Sequence, residues 1–279
     1  MAARKKPTGT AVAKWDEELA RQAEAAAKQE ESTASGQFFS LRGGVLSFND
    51  APLPNNEVAV VIVDHILENV FYEGAYDPDD PSGPTCFAFG RSDDEMTPHQ
   101  KVIDAEQFQA DMCKDCPNNE WGSAETGRGK ACRNTRRLAL IPAGNFNSKT
   151  GEFEEFDDVE HYESAAIAFM KLPVTSVKGY AAFVKQVASA LKRPPHGVFT
   201  KIKVVPDPST QFKVTFEPLG QIPNELLGAV MARHEEAQGV IEFPYELDSE
   251  REEPKKPARG GRGAKKAPAK RSARGRGKY

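Results

Sequence analysis

The sequence predicts a mainly β protein with flanking helices, an α+β chain whose sheet carries an inserted cysteine-rich loop. Three observations predict it. Residues 58–63, VAVVIV, form a continuous β-branched run of the kind that is buried on both faces of a sheet. Within residues 37–247, helical periodicity appears only after residue 173, in two stretches separated by alternating strand patterns. Three of the four cysteines fall between Cys113 and Cys132, in a stretch too rich in glycine and polar residues to be either helix or strand.

The strands begin with FFSLRGGVLSF, residues 38–48, in which a Gly-Gly pair turns the chain between two short apolar runs. YDPDDPSGPT at 76–85 has loop composition, and the following Cys86-Phe-Ala-Phe reads as a short strand that delivers the first cysteine. The cysteine-rich loop ends in RRLALIPAG, another strand, and NFNSKTGEFEEFDD after it reads as a turn-rich acidic connection. SAAIAFMKLP, 164–173, predicts a strand; Ser176 is then the expected cap of a helix with Val177, Tyr180, Val184, Val187 and Leu191 on one apolar face. Lys178, Lys185 and Lys192 recur every seven residues on another part of that helix. GVFTKIKVV and QFKVTFEPL predict two strands joined by a Pro-Asp-Pro-Ser-Thr hairpin, and a second helix should run from Ile222 to about Glu236. The count is six to eight strands and two helices, with no internal repeat.

Composition divides the chain into three parts. Residues 1–36 read as a helical or disordered arm, with Val12, Trp15 and Leu19 as a narrow apolar stripe. Residues 37–247 are the core, with a zinc subdomain at about 86–137, and 248–279 are a disordered basic tail. Residues 254–279 contain eleven Lys or Arg and no Asp or Glu, which leaves the preceding 253 residues at −15 against −4 for the whole chain. Such asymmetry points to a tail that binds polyanions, duplex DNA or RNA included, and a body that mostly does not. No apolar run approaches the roughly 20 residues that span a bilayer, so no membrane partner is expected and the expected location is cytoplasmic.

The cysteines are spaced Cys86-x26-Cys113-x2-Cys116-x15-Cys132. A C-x2-C turn presents two thiolates to one metal, and two flanking strands can supply the other corners of a closed tetrahedron. The expected cofactor is therefore one structural Zn2+ on Cys86, Cys113, Cys116 and Cys132. An iron–sulfur cluster, redox or unliganded cysteines, and His99 in place of one thiol are the alternatives. Around the ligands lie Lys114, Arg128, Lys130, Arg133, Arg136 and Arg137, with Trp121 among three glycines at 122, 127 and 129. A metal-stiffened basic finger matches phosphates, and Trp121 either stacks on a base or packs over the metal.

The stretches CKDCPNNEWGS, GRGKACRNTRRLALI and LPVTSVKGYAAFVKQV resemble those of a family of bacteriophage proteins regarded as single-stranded DNA-binding proteins. The resemblance covers about residues 37–245 and is concentrated in 113–141. In plan the chain is also similar to the helix-destabilising proteins of T-even phages, which set a zinc subdomain in an oligonucleotide-binding β-barrel; they use one histidine with three cysteines and end in an acidic tail. The resemblance implies an OB-like barrel core and a non-catalytic protein that coats and protects single strands during replication or recombination in the bacterial host cytoplasm. Partners would include replication or recombination proteins.

A single-strand binder needs a basic groove with aromatic faces. In GVFTKIKVV the alternation puts Phe199, Lys201 and Lys203 on one face and Val198, Thr200, Ile202 and Val204 on the other, so the first trio is the expected platform. Phe87 and Phe89, and Phe169 with Lys171, share sides in the same way. No Walker loop, Gly-x-Ser-x-Gly or His-Glu-x-x-His occurs, the five histidines are scattered, and no catalytic residue is assigned. DPDD at 77–80 is a cation loop or a plain solvated turn. Two other function classes remain: an iron–sulfur nucleic-acid-processing enzyme, and a structural protein that packages nucleic acid.

Overall fold

The computed structural model describes residue 21 and residues 37–74 and 83–247. The expected N-terminal helix, the DPDD turn and the basic tail lie outside the described residues.

In chain order the elements are β1 (Gln37–Ser40), β2 (Ser47–Phe48), β3 (Ala51–Pro52), β4 (Glu57–Phe71), β5 (Cys86–Gly90), α1 (Gln100–Asp104), β6 (Arg133–Phe146) and β7 (Phe153–Glu155). They continue with α2 (Val159–Ser164), β8 (Ala168–Leu172), α3 (Val174–Leu191), β9 (Val198–Asp207), β10 (Gln211–Gln221) and α4 (Asn224–Val240). Short 3-10 turns join several of them. In the first, Gly43 and Gly44 take φ of +62° and +78°, left-handed values that suit the Gly-Gly pair.

One sheet contains all ten strands, in the order β10-β9-β4-β6-β8-β1-β2-β3, with β5 added to β4 and β7 to β6. Pairing is antiparallel except for β1 with β8. The molecule is thus a mixed α+β protein with a large open sheet and few helices. The OB-like barrel expected from the resemblance is corrected here: the strand path ends at β10 and β3, and among the described residues no ladder joins them.

Both sheet faces are covered, which is why VAVVIV could lose alternation altogether: Ala59 to Val63 are all buried. One face packs under α3, joining Val60, Ile62, Leu138, Leu140, Met170, Ile202 and Val204 to Tyr180, Phe183 and Val187. The other packs under α4 and α2, joining Val61, Val63, Ile66, Ala139, Ile141 and Phe199 to Tyr162, Leu226 and Val230. A β-bulge at Val63, between the pairs Ile62–Leu140 and Asp64–Ala139, shifts β4 against β6 by one residue. Even-numbered residues of β4 therefore face α3 before the bulge, and odd-numbered ones face that side after it.

Local expectations meet tertiary context at several points. Helix α3 starts at Val174, and Ser176 is not its cap; its buried Oγ instead accepts from the Val214 N–H at 2.9 Å, tying α3 to β10. Phe183 joins the buried stripe. The acidic connection contains β7, and α2 precedes β8 at residues 159–164, just before and at the first residue of the expected strand. Among the described residues, no helix is long and apolar enough to cross a membrane.

Candidate nucleic-acid interface and cysteine cluster

Strands β5 and β6 both pair with β4, so Cys86 at the start of β5 and Cys132 just before β6 arrive at the same end of the sheet. Cys113 and Cys116 bracket a single 3-10 turn, with the Cys116 N–H donating to the Cys113 carbonyl at 3.4 Å. All four thiols are free of disulfides and line one cavity of about 20 Å³, the volume of a single small occupant. Burial pushes the Cys86 thiol up to about 11 and that of Cys132 up to about 12, and each feels the charge that the neighbouring sulfurs would carry. Cys113 is raised by the same causes, against a hydrogen bond from Asn69. Among the described residues no group of three or more His, Cys, Asp or Glu stands in a ready-made metal-holding arrangement. His99 serves another purpose: its Nδ1 accepts from the Lys101 N–H at 3.1 Å at the start of α1, and its ring stacks on Phe87.

Amide side chains lock the loop to the sheet. Asn134 on β6 donates to Asn69 on β4 at 2.6 Å and to Asn119 at 2.9 Å, while Asn119 donates to the Cys113 carbonyl at 2.7 Å. Ser123 accepts from the Ala131 N–H and donates to the Asn118 carbonyl. A loop so closed holds its tip in place, and the tip carries Trp121, 81% exposed. Lys130 lies 5.9 Å from that ring and also donates to Asn119 at 3.1 Å. Lys114 and Arg128 are exposed, with no ion pair among the described residues. Arg133, also exposed, lies 5.2 Å from the Tyr72 ring.

Alternation along β6 divides the arginines. Arg136 is half-buried on the α3 side and meets no carboxylate in an ion pair; it donates to the Thr135 carbonyl at 2.9 Å. Arg137, expected to contact nucleic acid, is 3% exposed and serves the core. Its Nε pairs with Glu68 at 2.9 Å, its Nη1 donates to the carbonyls of Ile241 and Phe243, and Phe89 and Phe243 lie against its guanidinium. Lys171 joins the same group, 2.9 Å from Glu68 and bonded to the Tyr245 hydroxyl, which in turn donates to Glu68.

The expected platform on β9 is corrected in the same way. Val198, Thr200, Ile202 and Val204 are buried as the alternation requires, but Phe199 is buried too, at 1% exposure, with Phe153 against it. That end of β9 has α4 over its second face, so no side of it meets water. Lys201 pairs with Glu217 at 2.7 Å and Lys203 with Glu57 at 2.8 Å. Phe87 and Phe169 are core as well. The structure thus brings Cys86, Cys113, Cys116, Cys132, Lys114, Trp121, Arg128, Lys130 and Arg133 to one end of the molecule and leaves the β9 trio outside it.

Sequence reasoning missed the asparagines at 69, 119 and 134. Their only trace was an unusual density of Asn around the cysteine loop. Compared with known proteins, the chain matches no family model, no curated protein and no solved structure.

Proposed function

We propose that this chain binds single-stranded nucleic acid, DNA in replication or recombination, and that it catalyses no reaction. One observation carries the reading: a tryptophan, 81% exposed, at the tip of a cross-braced loop with Lys130 beside it and with Lys114 and Arg128 exposed and in no ion pair among the described residues. A large exposed aromatic ring costs solubility unless something covers it, and bases offer π-faces while phosphates match the cations.

Structural zinc completes this reading. Four free thiols on one cavity, with those of Cys86, Cys113 and Cys132 made harder to ionise by burial and by neighbouring sulfurs, suit a divalent soft-tolerant cation that would accept four thiolates and relieve their repulsion. Cys86, Cys113, Cys116 and Cys132 would hold it, and it would supply rigidity to the finger. The donor set is all sulfur, which also suits an iron–sulfur cluster; metal content separates the two. The reading does not need a closed barrel, because the interface lies on the finger and the adjoining end of the sheet.

Fluorescence anisotropy with labelled oligothymidine and a matched duplex, at two salt concentrations, tests the proposal. Preference for the single strand, with affinity falling as salt rises, supports it. Equal or absent binding to both overturns it.

A further inference from the structure

A second feature lies on the same sheet face as the cysteines. After the bulge, His65 and Leu67 of β4 line a cleft of about 300 Å³, and Asn69 and Phe71, next on that face, line the cysteine cavity. Arg136 of β6, the Leu67 partner, closes one side of the cleft, and Tyr180, Val184 and Lys185 of α3 close another. The lysine row on α3 thus has one member at a cavity.

Its lining is cationic, with Arg91, Arg136 and Lys185 and no carboxylate. Arg91 is satisfied by a two-pronged contact with Asp64, at 3.0 and 2.7 Å. Among the described residues Arg136 and Lys185 have no such partner; the exposed Asp93 acts on Arg136 only at longer range. Tyr180 is 2% exposed, and among the described residues its hydroxyl has no hydrogen-bond partner. A buried hydroxyl left unbonded is costly to a fold, and its retention beside a guanidinium that has a carbonyl but no carboxylate partner among the described residues points to a ligand that bonds both. The volume is at the lower end of small-molecule sites, and Leu67 and Val184 add an apolar wall suited to a base.

We propose that this cleft is a nucleotide subsite, with Arg136 and Lys185 on a phosphate and the Tyr180 hydroxyl bonded to the same nucleotide. It rests on the single-strand reading above and extends it from the finger into the body. Arg136 lies two residues of strand, about 7 Å, from Asn134, which braces the finger from the same sheet face, well inside the 4 to 16 nucleotides or so that one binding fold covers. The same chemistry would accept a free nucleotide.

The test uses the full chain, labelled oligothymidine and thymidine 5′-monophosphate, with Arg136→Gln, Tyr180→Phe and Trp121→Ala. Arg136→Gln should weaken oligothymidine binding about tenfold and lower the salt slope by about one. Tyr180→Phe should weaken it several-fold at unchanged slope while the melting temperature holds or rises, since the variant only removes an unbonded hydroxyl. If both variants bind like the parent while Trp121→Ala binds worse, the finger reading stands and the subsite is overturned. If the parent does not bind oligothymidine, the single-strand reading fails, and thymidine monophosphate decides the cleft: saturable binding lost in Arg136→Gln supports a free-nucleotide site, and no saturation overturns it.

Discussion

Arg137 and Glu68 form an ion pair of 2.9 Å across β6 and β4, with both side chains withdrawn from water. Burial works to raise the Glu68 pKa, and Lys171 and Arg137 outweigh it, holding the carboxyl below the usual range. Arg137→Ala should cost about 3–5 kcal/mol in urea unfolding, because it leaves a buried charge with one fewer partner. Replacing both residues by apolar ones of similar size should recover much of that loss.

The β9 trio separates packing from binding. Phe199→Ala should cost about 3–5 kcal/mol of stability by opening a cavity beneath α4. At temperatures where that variant is folded, its oligothymidine affinity should match the parent's. Lys203→Ala, which breaks a partly exposed pair with Glu57, should change stability by no more than about 1 kcal/mol and leave affinity unaltered.

Trp121 should behave in the opposite way. Trp121→Ala should leave the melting temperature within about 1–2 °C, because the ring is exposed, and should weaken single-strand binding by about 1–3 kcal/mol. Quenching of the parent's tryptophan fluorescence on binding, much reduced in the variant, checks that the ring meets a base.

Purified protein should contain about one zinc per chain. Cys116→Ser should release it and make residues 113–132 sensitive to proteolysis while the far-ultraviolet signal of the sheet persists. Stoichiometric iron, with visible colour, would replace zinc by a cluster in this reading.

A pH response follows from the histidines between α4 and the sheet. His196 and His234 stack with ring centroids 4.2 Å apart. Burial lowers the His196 pKa, His234 lowers it further, and Asp64 opposes them in part. His65 is lowered likewise, chiefly by burial. The unfolded chain, titrating near 6.5, takes up protons that the folded one refuses. Stability from these groups is complete above that pH and is lost as pH falls below it. Urea midpoints between pH 7.5 and 5.5 should show the decline, and His196→Gln should flatten it.

The fold was legible where one pattern ruled. VAVVIV, the hairpin of β9 and β10 and the helix through Tyr180 follow directly from runs and periodicities. The alternation in GVFTKIKVV was also right, yet it places residues on a face without saying what covers it, and α4 covers Phe199 from some twenty-five residues downstream. Arg137 shows the same limit: its neighbours Arg133 and Arg136 stay accessible, and only the partner on β4 makes it core. The cysteine spacing showed the C-x2-C turn, but what brings Cys86 and Cys132 to it is the pairing of β5 and β6 with β4, which no spacing states.

The extra residue at Val63 works as a frameshift does in a message. Upstream of it, one set of β4 positions answers to α3; downstream, the complementary set does, and the strand is meaningful only if both halves are read in their own phase. Were Val63 taken into the ladder opposite Ala139, everything beyond it would be transposed, with Glu68 on the face of the cysteines and Asn69 on that of Arg137, whereas deleting Val63 would leave the register beyond it intact. Both the finger's anchorage and the cleft's chemistry are therefore encoded by a single unpaired position that touches neither.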